Sequence, residues 1–206
     1  MPNTLYPQGA ARAASALIKP RLLLLTLFVG SMWAVFLVSA ALPSLKLDQH
    51  GVVPRTFSGL QGILFAPWLH ESLGHIMANT GGLLVLGWMT MWPRVTNFWV
   101  ATLGGMLGAG LCAWLLGSPG SVHIGASGLL FGYAGYLIAR GYYTRNIVAI
   151  VVALFVTASY GLTMLFGLLP LHPDISWQSH LGGALGGVLA TRCTTAARQR
   201  QPIRRT

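Results

Sequence analysis

Charged residues, and acidic ones above all, are what this sequence has least of. Only 8% of its 206 residues are charged and just three residues are acidic, whereas 54% are hydrophobic. Soluble domains usually carry about 25% charged residues, so the composition excludes an ordinary soluble globule. The mean hydropathy of +0.64 predicts an all-α polytopic membrane protein, and the length fits a single helical bundle.

The scarcity of acids and cysteines excludes several classes of function. Asp48, Glu71 and Asp174 all fall between the apolar segments, so no predicted span carries the aspartate that an aspartyl intramembrane protease needs. The same absence removes the acids that couple ions to transport inside a membrane. The two cysteines, Cys112 and Cys193, lie in or at the end of apolar segments, where packing is expected and a disulfide is not.

Six apolar segments predict six transmembrane helices, at residues 22–42, 75–91, 95–116, 127–139, 147–169 and 177–191. A span needs about 20 residues, so the fourth segment is short. It is expected either to begin inside the membrane or to continue past Arg140. A half-length helix is tolerated only where it lines a water-filled cavity, which would place a wet pocket near Ser127.

Basic residues predict the orientation of the bundle. Of the 13 lysines and arginines, 11 flank the segment ends on one side, and only Lys46 and Arg55 lie on the other. The positive-inside rule makes the basic side cytoplasmic, with both termini there. Residues 1–21 and 193–206 are then basic cytoplasmic tails, expected to be poorly ordered, around a membrane domain at 22–192. Despite the net charge of +10, anionic lipid is the expected partner of these tails and nucleic acid is not.

A serine and a histidine open two of the apolar segments. Ser127 follows Gly125 and Ala126, and His180 begins a glycine-rich run. A serine hydroxyl becomes a strong nucleophile when a neutral imidazole takes its proton. Because no acid lies in any span, the pair is predicted to act as a dyad. Phe131 lies four residues after Ser127 on the same helical face, from which it could stack on the His180 ring.

Glycines at a spacing of four residues predict that the helices carrying these side chains touch. Pairs of small residues at this spacing let helix backbones approach closely, which would bring Ser127 and His180 within hydrogen-bond reach. The pairs are Gly104/Gly108, Gly128/Gly132, Gly182/Gly186 and Gly183/Gly187.

Acyl transfer also needs hydrogen-bond donors for the developing oxyanion. His75 and Asn79 stand four residues apart on one face of the second segment, and both side chains can donate. Ser127, at a helix start, adds unpaired backbone amides. A structural role in helix association remains open for His75 and for Asn79 taken singly.

Together these motifs resemble the rhomboid family of intramembrane serine proteases. The resemblance covers residues 43–192 and implies a six-helix core whose dyad, Ser127 and His180, opens to the outer face. It implies oxyanion support from His75, Asn79 and the backbone around Gly125, and no metal or cofactor. His70, Phe131, Gly128 and Gly183 would be structural residues near the site. Where relatives often have tyrosine, this chain has Phe131.

The resemblance also implies substrates and a location. Single-span membrane proteins would be cleaved near the outer face of a cell membrane, which the small size suggests is a bacterial inner membrane. The oligomeric state stays open.

Three alternatives remain at this stage. A rhomboid-like pseudoprotease would bind membrane clients without cleaving them, and a small transporter would use the wet cavity. His70, His75 and His180 could also hold a metal ion from different elements, although the first two, five residues apart, do not share a helical face. His123, in the loop before Ser127, is predicted to be a solvated loop residue.

Overall fold

A computed structural model describes residues 6–171 and 175–199, and they form a bundle of long helices. The helix α2 comprises Leu73–Gly82, a π-helical stretch at Leu83–Gly87 and a last turn at Trp88–Thr90. The other long helices are α1 (Tyr6–Ala41), α3 (Val95–Leu116), α4 (Ser127–Thr144), α5 (Ile147–Gly167) and α6 (Trp177–Gln199). Each predicted apolar segment falls on one of these helices.

Length and composition identify membrane-crossing helices in the described part of the chain. Three stretches there are long and apolar enough to span a bilayer, namely Arg12–Ala41, Val95–Leu116 and Ile147–Gly167. The prediction of an all-α membrane protein agrees with this architecture. Six spans with both termini cytoplasmic stay a prediction.

The chain ends differ from the poorly ordered tails predicted. The helix α1 begins at Tyr6, so residues 6–21 are helical, in keeping with an alanine-rich run of high helix propensity. Arg21 is buried and donates hydrogen bonds to the carbonyls of Leu17 and Pro93, which holds this part of α1 against the bundle. At the other end α6 continues to Gln199, and residues 1–5 and 200–206 lie outside the described part.

The fourth predicted span is a full helix. The helix α4 has 18 residues and passes Arg140 to end at Thr144. At about 1.5 Å per residue, it is roughly 27 Å long, close to the thickness of a bilayer core. Of the two alternatives, the continuation past Arg140 is confirmed, and a start inside the membrane stays a prediction.

Glycines allow α6 to pack directly against α3 and α4, as their spacing predicts. A Cβ atom on Gly183 would overlap the carbonyl oxygen of Gly128, and one on Gly187 would overlap that of Gly132. On the neighbouring face of α6, Gly182 and Gly186 meet the carbonyl oxygens of Gly108 and Gly104 in the same way. Backbone therefore touches backbone along both faces, and α6 is held at a distance that no larger side chain permits.

The segment between α1 and α2 folds back onto the bundle through short helical turns. Val52 is buried, and its backbone exchanges two hydrogen bonds of 2.9 Å with His123 in the loop before α4. Ile63 packs against Gly110 of α3. The apolar character of this segment thus serves packing at the end of the bundle where α4 begins.

Candidate active site

Ser127 and His180 meet where α4 and α6 begin. Ser127 is the first residue of α4 and His180 the fourth of α6, and Ser127 Oγ lies 2.8 Å from His180 Nε2. His180 Nδ1 lies 2.8 Å from the carbonyl oxygen of Gly167 at the end of α5. Because a carbonyl only accepts, Nδ1 carries the proton. The lone pair of Nε2 therefore faces the serine hydroxyl.

Phe131 holds the plane of the His180 ring. The two rings are stacked, with centroids 4.0 Å apart and planes 5° from parallel, and both residues are buried. A Cβ atom on Gly167 would lie 2.6 Å from Phe131 Cζ and 3.0 Å from His180 Nδ1. Gly167 is therefore a contact residue of the ring pair, which its position in the sequence did not indicate.

Gly125 allows side chains of α2 to approach the backbone two residues before Ser127. Its φ of +103° favours glycine, and its amide donates to the Ala66 carbonyl at 2.8 Å. A Cβ atom here would lie 2.5 Å from His75 Nε2 and 3.5 Å from Asn79 Nδ2. Both side chains therefore converge on the space beside the first amides of α4, the N–H groups that a helix leaves unpaired.

His70 joins the preceding loop to α2. Asn79 Nδ2 donates to His70 Nε2 at 3.0 Å, so the other ring nitrogen, 3.4 Å from the Trp68 carbonyl, carries the proton. Burial, reinforced by neighbouring His75, lowers the pKa of His70 to about 4. The ring is thus neutral near pH 7, and one of the two amide hydrogens of Asn79 is committed to it.

The histidines do not assemble as a metal centre. The rings of His70 and His75 pack edge to face with centroids 5.0 Å apart, and the exposed Glu71 has Oε1 3.9 Å from His75 Nδ1. Within residues 6–171 and 175–199, no three histidine, cysteine or acidic side chains are grouped to hold a metal ion.

A large cavity leads to the dyad between α2 and α5. Its volume is about 1270 Å³, and Ser127 and His180 lie in its wall. His75 and Ala78 of α2 line one side, and Tyr160, Thr163 and Met164 of α5 line the other.

His123 is not the solvated loop residue predicted. It is half-buried, and its ring nitrogens lie 2.7 Å from Ser176 Oγ and 3.0 Å from Ser121 Oγ. Burial lowers the pKa of His123. The sequence carried no signal for this, because Ser176 lies 53 residues away.

Comparison with known proteins identifies the family of the chain. The model of the Rhomboid domain matches residues 58–197, which include every predicted site residue. The chain belongs to the rhomboid family. An uncharacterised protein of Mycobacterium tuberculosis strain H37Rv is 39% identical over 178 residues, covering 82% of this chain and 73% of that protein. An uncharacterised protein of Mycobacterium leprae is 36% identical over 160 residues, covering 73% of this chain and 62% of that protein. This rhomboid is accordingly a multi-pass membrane protein.

Proposed function

We propose that this rhomboid is an intramembrane serine endopeptidase that uses Ser127 as its nucleophile and His180 as its general base. The observation that carries the proposal is the 2.8 Å contact between Ser127 Oγ and the unprotonated Nε2 of His180. Nucleophile, base and an orienting group for the base within hydrogen-bond reach are the usual signature of an activated serine. Here the orienting group is the Gly167 carbonyl, 2.8 Å from Nδ1.

The proposed reaction forms and then hydrolyses an acyl-enzyme. Ser127 Oγ attacks the carbonyl carbon of the scissile peptide while His180 Nε2 takes the hydroxyl proton. The same nitrogen then gives that proton to the departing amine as the peptide C–N bond breaks. A water molecule from the cavity attacks the ester, with His180 again accepting and returning a proton. No cofactor is needed.

The negative charge on the tetrahedral intermediate is stabilised by donors next to Gly125. The first amides of α4 follow this residue closely in the chain and carry the positive end of the helix dipole. His75 Nε2 and the uncommitted amide hydrogen of Asn79 approach it from α2, as the Gly125 geometry supports. Loss of one such donor typically lowers kcat by about 100-fold to 1000-fold.

The proposed substrates are single-span membrane proteins that enter between α2 and α5. A peptide carbonyl within a regular helix is hydrogen-bonded and shielded, so the helix must unwind before Ser127 can reach it. Glycine and proline weaken helices and are therefore expected near the cleaved bond. By the positive-inside rule, the cut lies toward the outer face of a bacterial inner membrane.

Labelling with a fluorophosphonate and cleavage of single-span model substrates test the proposal. Wild type should label and cleave, and Ser127→Ala and His180→Ala should do neither. Phe57→Ala is a matched control, because that side chain is 93% exposed and does not line the cavity that contains the dyad. Equal labelling of wild type and Ser127→Ala would refute the mechanism. Binding of clients by both proteins without cleavage would instead favour a pseudoprotease.

A further inference from the structure

A second serine–histidine contact lies next to the dyad, between the residues that precede α4 and α6. His123 stands four residues before Ser127, and Ser176 stands four residues before His180. His123 Nδ1 lies 2.7 Å from Ser176 Oγ. This contact therefore joins the same two chain segments as the dyad, one step further toward the end of the bundle.

Ser176 fixes the start of α6. Its Oγ accepts a hydrogen bond from the amide of Ser179 at 3.3 Å, the arrangement of a helix N-cap, and its carbonyl accepts from the amide of His180 at 3.1 Å. Its hydroxyl proton goes to Ser179 Oγ at 2.8 Å. The Ser121 hydroxyl donates in turn to the Ser118 carbonyl at 2.7 Å, so both ring nitrogens of His123 face serine oxygens and the ring bridges Ser121 and Ser176.

His123 is itself held firmly. Its backbone exchanges two hydrogen bonds of 2.9 Å with Val52, and its Nε2 lies 3.0 Å from Ser121 Oγ. A Cβ atom on Gly117 would lie 2.5 Å from that nitrogen, so the ring fits closely against the end of α3. A rigid ring that is hydrogen-bonded to Ser176 holds the first turn of α6 in place.

We propose that His123 is a positioning residue that sets the distance between Ser127 and His180 through Ser176. The contact of Gly128 with Gly183 holds α4 and α6 together on the side of the dyad that faces the middle of the bundle. The His123–Ser176 bond, here called the upper bond, holds the same two segments together on the other side. Without the upper bond, the first turn of α6 loses one of the contacts that hold His180 beside Ser127, and the distance between the two side chains grows. This role rests on the proposed protease activity.

The test compares three substitutions at one position in the full chain. Asparagine places an amide nitrogen where Nδ1 was, glutamine moves it one bond further out, and alanine removes it. His123→Ala and His123→Gln should lower kcat and the fluorophosphonate labelling rate by up to about 100-fold at unchanged KM, since an error near 1 Å costs that much. His123→Asn should stay within a few-fold of wild type, as should the control His50→Ala, an exposed histidine of the α1–α2 segment.

The double variant His123→Ala/Ser176→Ala tests the pathway of the effect. The double variant should label no more slowly than the slower of the two single variants. Each single substitution already removes the same hydrogen bond between His123 and Ser176. Additive losses, or an asparagine variant as slow as the alanine variant, would overturn the role of His123. So would unchanged labelling per folded molecule in all three variants, because His123 would then be merely structural. If His123→Ala does not fold, the asparagine and glutamine variants carry the comparison. A wild type that labels no faster than Ser127→Ala overturns the proposed protease itself, a result that these variants cannot mimic.

Discussion

Activity should depend strongly on the distance between α4 and α6 at their backbone contact, and Gly183→Ala tests this dependence. A Cβ atom on Gly183 would overlap the Gly128 carbonyl oxygen and lie 2.8 Å from the carbonyl carbon. Carbon atoms in favourable contact are about 3.5 to 4.0 Å apart. Because the overlap with the oxygen is closer still, the two helices must separate by at least roughly 0.7 to 1.2 Å near the dyad.

That separation is large on the scale of the chemistry. Added to the 2.8 Å between Ser127 Oγ and His180 Nε2, it gives roughly 3.5 to 4.0 Å, beyond the reach of about 3.2 Å that proton transfer requires. We expect kcat to fall by about 100-fold. Overpacking should also lower the free energy of unfolding by about 1 to 3 kcal/mol.

The assay is the cleavage rate per folded molecule, with folding checked by size-exclusion profile and thermal unfolding. Gly81→Ala is the matched control, because a Cβ atom on Gly81 meets nothing within 4 Å and alanine favours a helix over glycine. It should retain full activity at equal or higher stability. A Gly183→Ala variant that cleaves within two-fold of wild type would refute the link between helix contact and dyad distance.

Three further outcomes are expected. Phe131→Leu should slow cleavage by about 2- to 12-fold, since an aromatic pair contributes about 0.5–1.5 kcal/mol. Phe131→Tyr keeps the aromatic ring and should not slow cleavage. An equal loss in both variants would contradict ring stacking. Asn79→Ala should lower kcat and leave KM nearly unchanged, because an oxyanion donor acts in the transition state. Steady-state cleavage kinetics measure both constants. The pKa of His70 is about 4 in the folded protein and 6.5 in the unfolded chain. As the pH falls below 6.5, the unfolded chain therefore binds a proton that the folded protein does not, which favours unfolding. The thermal midpoint should therefore fall as pH drops from 6.5 toward 4, with a flatter slope in His70→Gln.

Helix positions and the dyad pair followed from local patterns. The apolar segments predicted the long helices because membrane length and hydropathy are local properties of a chain. Glycines spaced by four predicted the close approach of α4 and α6, which Gly183 and Gly128 confirm. The chain ends were predicted less well. Arg21 was assigned to a tail, but its hydrogen-bond partner Pro93 lies 72 residues away, and no local pattern reports such a partner.

By itself, the sequence determined that this is a membrane protein with a serine and a histidine at two helix starts, because composition, spacing and motif order are written in the chain. Only the tertiary structure decided that Gly167 orients His180, that Gly125 faces His75 and Asn79, and that His123 reaches Ser176. Each of these contacts joins residues of different elements, and the two hydrogen bonds among them are 2.8 Å and 2.7 Å long. Such distances are set by how the helices pack together, which the residues of one segment do not specify.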